Sequence, residues 1–241
     1  MMKRTLLATA ILAGSSAAMA EFSGNVAVVT DYLFRGISQT DNDPAIQGGL
    51  DYNHASGFYA GIWGSNVDFL VGNDLELDYY AGFGGDLTEA LGFDVGVAYY
   101  DYPGGDLGAG SNEPEYWEIY GGLSGDVGPA AVSGTIYYSP DYFGETGDGI
   151  YIDLGAEIEV TSGVTLAAHV GHQSIDEGAA SQQGFFSSEE DSYMDWSLGL
   201  STSYGGVDFG LTYSDTDLDS NDCFGTDICG DTVWFSVGKS L

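Results

Sequence analysis

Between residues 150 and 160 the chain alternates strictly. Ile150, Ile152, Leu154, Ala156, Ile158 and Val160 are apolar, and Tyr151, Asp153, Gly155, Glu157 and Glu159 between them are polar or small. Successive strand side chains point to opposite faces, so the pattern predicts a β-strand with one apolar face and one face carrying three carboxylates. A sandwich in water would bury the apolar face, whereas a barrel in lipid would turn it outward and keep the acids in a lumen. Similar alternation predicts about twelve strands, near 22–34, 45–53, 57–65, 74–84, 91–100, 115–124, 131–138, 150–160, 164–172, 193–203, 207–214 and 231–241. Their lengths cluster near the roughly 9 to 11 residues that a tilted membrane strand needs, beyond the ~5 to 6 usual in soluble sheets.

The connectors sharpen this choice. Tight turns at 54–57, 126–129, 161–163 and 204–206 alternate with long polar loops at 35–44, 66–73, 101–114, 139–149, 173–192 and 215–230. Outer-membrane barrels sort their connectors in this way, with short periplasmic turns and longer extracellular loops. Threading the chain up and down puts Phe22, Tyr52, Phe58 and Phe83 in a girdle at the turn end. Tyr32, Phe34, Tyr99, Trp117, Tyr138 and Tyr213 fall at the loop end, with an aliphatic band between the two girdles. Two aromatic girdles match the two membrane–water interfaces. The expected fold is all-β: a single antiparallel up-and-down transmembrane barrel of residues 21–241.

Residues 1–20 are excluded from it. Lys3 and Arg4 precede a short apolar run, and Ala18 and Ala20 flank Met19 in the manner of a secretory signal cleaved before Glu21. Acid dominates the composition, with 37 Asp and Glu against four Lys and Arg and a net charge of −33. Such a balance excludes nucleic acid and anionic lipid as partners held through a basic patch. The partners expected are outer-membrane lipid and small polar solutes or cations, with the oligomeric state left open. Cys223 and Cys229 lie close together in a Gly/Asp-rich stretch, and an oxidising exported setting predicts a small-loop disulfide between them.

The block TDYLFRGISQTDNDPAIQGGLDYNHASGFYAGIWGSNVDF, residues 30–69, resembles the N-terminal signature of the Gcw_chp domain, also known as the TorF family of proposed porins. Later segments such as LELDYYAGFGGD and YYSPDYFG look like the same family, and the likeness runs along nearly all of the chain. The resemblance implies a porin. It brings no catalytic or ligand residues to transfer.

With the aliphatic rows outward, the inward residues follow. The pore-lining set is Asp31, Arg35, Asp51, Glu76, Asp78, Asp94, Glu118, Asp153, Glu157, Glu159, Asp195 and Asp208, with His169 as a titrating neighbour. Acid-lined pores favour cations, so the expected function is passive diffusion of small hydrophilic, cationic solutes. The alternative is a barrel plugged by its own side chains that binds or supports at the surface through acidic loops. A barrel enzyme ranks below both. His54 falls in a turn, and His169 and His172 face opposite sides of one strand, which leaves no positioned nucleophile and base. No cofactor or metal is expected: residues 215–222 open like a calcium loop, but Ser220 stands where that motif wants glycine and Thr226 where it wants glutamate.

Overall fold

The computed structural model describes residues 21–68, 74–105, 114–177 and 191–241. The secretory leader assigned to residues 1–20 lies outside these, as do parts of three long loops. The alternation at 150–160 becomes the middle of β10 (Gly147–Thr161), with Ile150 and Ile152 exposed and Tyr151 buried between them. The same two-residue period builds β1 (Glu21–Val29), β4 (Ala45–Asn53), β5 (Phe58–Asn66), β6 (Leu75–Thr88), β7 (Leu91–Asp101), β8 (Tyr116–Val127) and β9 (Ala130–Ser139). It continues through β11 (Val164–Glu177), β12 (Ser192–Tyr204), β13 (Val207–Thr216) and β14 (Thr232–Ser240). Two short strands, β2 (Leu33–Phe34) and β3 (Ile37–Ser38), form a separate hairpin.

The twelve long strands close into one antiparallel barrel, each bonded to its sequence neighbour, with β1 bridging β14 and β4. Closure satisfies every edge, which is what allows a sheet to stand in hydrocarbon. The outer surface carries Val28, Leu50, Val95, Ile136, Leu154, Leu198 and Leu211, all large apolar side chains left uncovered. In a water-soluble protein such a belt would be an aggregation surface; against lipid it is the solvent-matched face. Short turns join β4–β5, β6–β7, β8–β9, β10–β11 and β12–β13 at one end, and the long loops gather at the other.

One expectation fails at the first strand. It ends at Val29, not at residue 34, and Tyr32 and Phe34 leave the outer girdle for the interior, Tyr32 being only 9 % exposed. Beyond Thr30 the chain turns into the barrel and doubles back. The tip residues Arg35 and Gly36 hold φ of 49° and 80°, the two positive angles that a two-residue type I′ hairpin requires. Glycine is needed at 36 for a second reason. A Cβ there would lie 2.6 Å from the Thr216 side chain and 2.7 Å from that of Asp195. The segment 35–44, expected as an outer loop, is therefore largely an inserted one. Tyr99, Trp117 and Tyr213 do stay outward at the loop end, and Phe22, Phe58 and Phe83 at the turn end.

Candidate functional site

The inserted hairpin is stiffened by its own polar side chains. Ser38 Oγ donates to Asp31 Oδ1 at 2.6 Å and Thr40 Oγ1 to the same oxygen at 3.3 Å, while the Gln39 amide closes the base on the Tyr32 carbonyl at 2.7 Å. Burial pushes the Asp31 carboxyl above the usual aspartate range, and the two hydroxyls oppose that shift. Tyr32 reaches the wall, donating to Glu76 Oε1 at 2.8 Å. The Ser38 amide meets the Ile228 carbonyl of the last loop at 2.8 Å, and that loop is cross-linked by a Cys223–Cys229 disulfide.

Arg35 crosses the lumen. In the barrel order, β9 is the strand opposite β1, and Arg35 binds its near neighbours: Nη2 to Glu118 Oε2 on β8 at 2.6 Å and Nη1 to Gln173 Oε1 on β11 at 2.7 Å. Its carbonyl accepts the Tyr193 hydroxyl at 3.0 Å. The guanidinium carbon stands 4.3 Å from the Tyr151 ring centre, 4.7 Å from Phe34, 5.2 Å from Tyr137 and 5.9 Å from Tyr142. These are cation–π distances, and the side chains of Arg35 and Glu118 are 5 % and 1 % exposed. Burial works against charge on Arg35, but the Glu118 carboxylate together with Tyr142, Tyr116 and Tyr100 outweighs it, so its pKa rises above the ordinary arginine value.

The wall beneath the hairpin is built from tyrosine, glycine and carboxylate. The Tyr80 ring covers Gly61, Tyr59 covers Gly82, Tyr120 covers Gly96 and Tyr151 covers Gly171, each ring filling the space a Cβ would occupy. Their hydroxyls point to acids: Tyr80 to Asp51, Tyr59 to Asp94 at 2.7 Å, Tyr151 to Asp195 at 2.9 Å. His169 sits between two of the acids, with Nε2 2.8 Å from Asp153 Oδ2 and Nδ1 3.2 Å from Asp195 Oδ2.

The residues assigned to the pore by sequence thus separate into groups. Asp31 and Arg35 ride on the hairpin and not on the wall. Glu76, Asp78 and Glu118 gather beside it, Glu76 at Tyr32 and Glu118 at Arg35, and Asp78 keeps a buried Oδ1 without a hydrogen-bond partner. Asp153 and Asp195 meet at His169. Asp51 and Asp94 each take a tyrosine. Glu157, Glu159 and Asp208 lie toward the turn end, apart from these clusters; Glu159 accepts the Gly163 amide at 3.1 Å and Asp208 the Ser203 hydroxyl. Tyr59, Tyr80, Tyr120, Tyr137, Gln173 and Tyr193 were not singled out from sequence. The alternation that put the acids inward also carries these side chains inward, and that is the signal by which they could be found. The loop acids bond to backbone: Asp217 Oδ1 accepts the amide of Met194 on β12 at 2.8 Å, and Asp219 Oδ1 caps a turn by accepting that of Asn221 at 2.7 Å. Among the described residues, no group of His, Cys, Asp and Glu is arranged to hold a metal.

Solved structures share this barrel. The NanC porin superposes with a TM-score of 0.58 at 12% identity, covering 90% of this chain and 98% of that one. The KdgM porin in complex with disordered oligogalacturonate gives 0.55 at 9%, over 91% and 98%. The COG4313 outer membrane channel from Pseudomonas putida F1 gives 0.53 at 13%, over 94% and 96%. At such identities the likeness is one of fold. No curated protein matches the chain. A family model described as "Bacterial protein of unknown function (Gcw_chp)" covers residues 13–241, and the chain belongs to the Gcw_chp family.

Proposed function

We propose that this protein is an outer-membrane channel for small hydrophilic solutes, cation-preferring, with its loop-end mouth narrowed by the inserted hairpin. One observation carries the reading: a closed barrel whose outside is an apolar belt and whose inside is carboxylate and tyrosine hydroxyl. Polar side chains at membrane depth are tolerated where they face water, and there they set which ions enter. The export leader read at residues 1–20 and the porin-like fold support an outer-membrane location, with lipid as the outer partner. The neighbours named porins lend the channel class.

Charge lends the preference. Among the described residues the lumen holds one Arg or Lys, Arg35, against a wall of acids, and the other, Lys239, is on the outer row. The KdgM porin is in complex with an acidic oligosaccharide; this acid-lined lumen has the same sign as such a ligand and would repel it, so solutes of positive charge are its complement. Catalysis is not part of the reading: His169 is engaged by the Asp153 and Asp195 carboxylates and the Tyr151 phenol.

Single-channel recording in asymmetric salt tests it. The wild type is expected to give a small, cation-selective conductance, weaker in selectivity at high ionic strength as screening grows. A combined Asp153→Asn, Glu157→Gln, Glu159→Gln variant should move the reversal potential toward zero. Anion preference in the wild type would refute the charge assignment. A second reading is favoured by the Arg35 bridge itself: a plugged barrel acting through its acidic loops. No current from either the wild type or a variant lacking the hairpin would select that reading.

A further inference from the structure

We infer that the pocket now holding the Arg35 side chain is a recognition site for guanidinium-bearing organic cations, which Arg35 occupies as a tethered stand-in. The inference deepens the channel reading and rests on it only for the solute's route, not for the binding itself.

Most of the pocket belongs to the barrel wall and not to the hairpin. Glu118, Tyr137, Tyr151 and Gln173 come from four consecutive strands, and Tyr142 comes from the loop between β9 and β10. Phe34 is the one ring contributed by the hairpin. The polar wall groups are oriented by neighbours that stay when Arg35 leaves. Tyr100 donates to Glu118 Oε2 at 3.1 Å, and Gln173 Nε2 donates to the carbonyls of Ile150 at 3.3 Å and Ser174 at 3.1 Å, which turns its Oε1 toward the lumen. Withdrawal of the tip would therefore expose a preformed site.

Its chemistry is selective. Two acceptors, one charged and one neutral, are placed to meet two different nitrogens of one planar cation, while the Tyr151 ring lies 4.3 Å from the central carbon. A planar guanidinium satisfies both acceptors and presents its face to the ring at once. A compact ammonium is a point charge that keeps its water and cannot span both acceptors. A hard metal ion asks for six or more oxygens, and this pocket offers few. Anions are repelled by Glu118. The loop end supplies an approach, since Asp43, Asp68 and Asp74 line a cleft with Thr40 where the hairpin enters.

The test uses the full chain in detergent and in liposomes, with methylguanidinium as probe and methylammonium at equal ionic strength as control. In Arg35→Ala, low-millimolar methylguanidinium should raise the melting temperature by several degrees and methylammonium should not, because a ligand that binds the folded state alone stabilises it. Adding Glu118→Gln should remove the effect. Equal shifts from both cations, no shift, or a shift that survives Glu118→Gln would overturn the inference. If Arg35→Ala does not fold, flux through the wild type decides: methylguanidinium should compete with the tip and pass faster than methylammonium, and equal rates overturn the site. Specific stabilisation with no current in any variant would keep the recognition site and remove the channel.

Discussion

Replacing residues 30–44 with a two-residue Asn-Gly turn is expected to raise single-channel conductance by roughly tenfold or more, since twelve strands enclose more space than a packed eight-stranded barrel. The substitution is geometrically simple because Val29 and Ala45 are paired across β1 and β4, so a tight hairpin can join them directly. What it removes is the only described segment that crosses the lumen from β1 to the opposite strands. The tip is held there by the Arg35–Glu118 ion pair, the Arg35–Gln173 bond and the Tyr193 hydroxyl on the Arg35 carbonyl. In the shortened variant Glu118 faces water and is hydrated, and the part of the obstruction that the hairpin supplies is gone. Planar-bilayer recording checks this, with heat-modifiable gel mobility as evidence that the barrel has closed. Unchanged conductance in a folded variant would show that the narrowing lies elsewhere.

Leu198→Arg is expected to destabilise the barrel by about 2–4 kcal/mol, the cost of a cation near the bilayer midplane. Ser197→Arg, one residue away, should cost no more than about 0.5 kcal/mol, as ordinary solvated positions do. The two share a strand and differ only in the side of the wall. Leu198 is 53 % exposed on the outer face midway along β12, while Ser197 pairs with His169 on the inner face, close to Asp153 and Asp195. Urea titration in lipid vesicles measures both. Equal costs would contradict the division into lipid and water faces, and a reversed order would turn the barrel inside out.

The barrel was legible because its period is local. Each of β4 to β14 in the wall declares its inward and outward sets within about ten residues, and the acids on β10 are read from their parity alone. The hairpin was not legible, because Tyr32 and Phe34 continue the alternation that precedes them and nothing nearby contradicts a longer first strand. What bends the chain inward is held by distant partners: Glu118 lies 83 residues from Arg35, Gln173 138 and Tyr193 158. A glycine following an arginine at 36 was the one local hint of a turn. The grouping of the pore residues was not legible for the same reason. Parity says which wall face a carboxylate occupies, but which tyrosine, histidine or arginine answers it depends on register between strands.

Register is where the rings laid over glycines have a further effect. Slipping a strand by one residue would expose its acids to lipid and is already forbidden by polarity. A slip of two keeps every face correct, and polarity cannot detect it. On β5 and β6 the inward rows read Tyr59, Gly61, Trp63 against Gly82, Tyr80, Asp78, so bulk meets hollow along most of the seam. Moving either strand by two residues sets Tyr80 against Tyr59 or Trp63. The seam between β7 and β8 repeats the arrangement with Tyr120 over Gly96. The tyrosine–glycine pairs therefore act as a key and its wards, rejecting misaligned hairpins during insertion that hydropathy alone would pass.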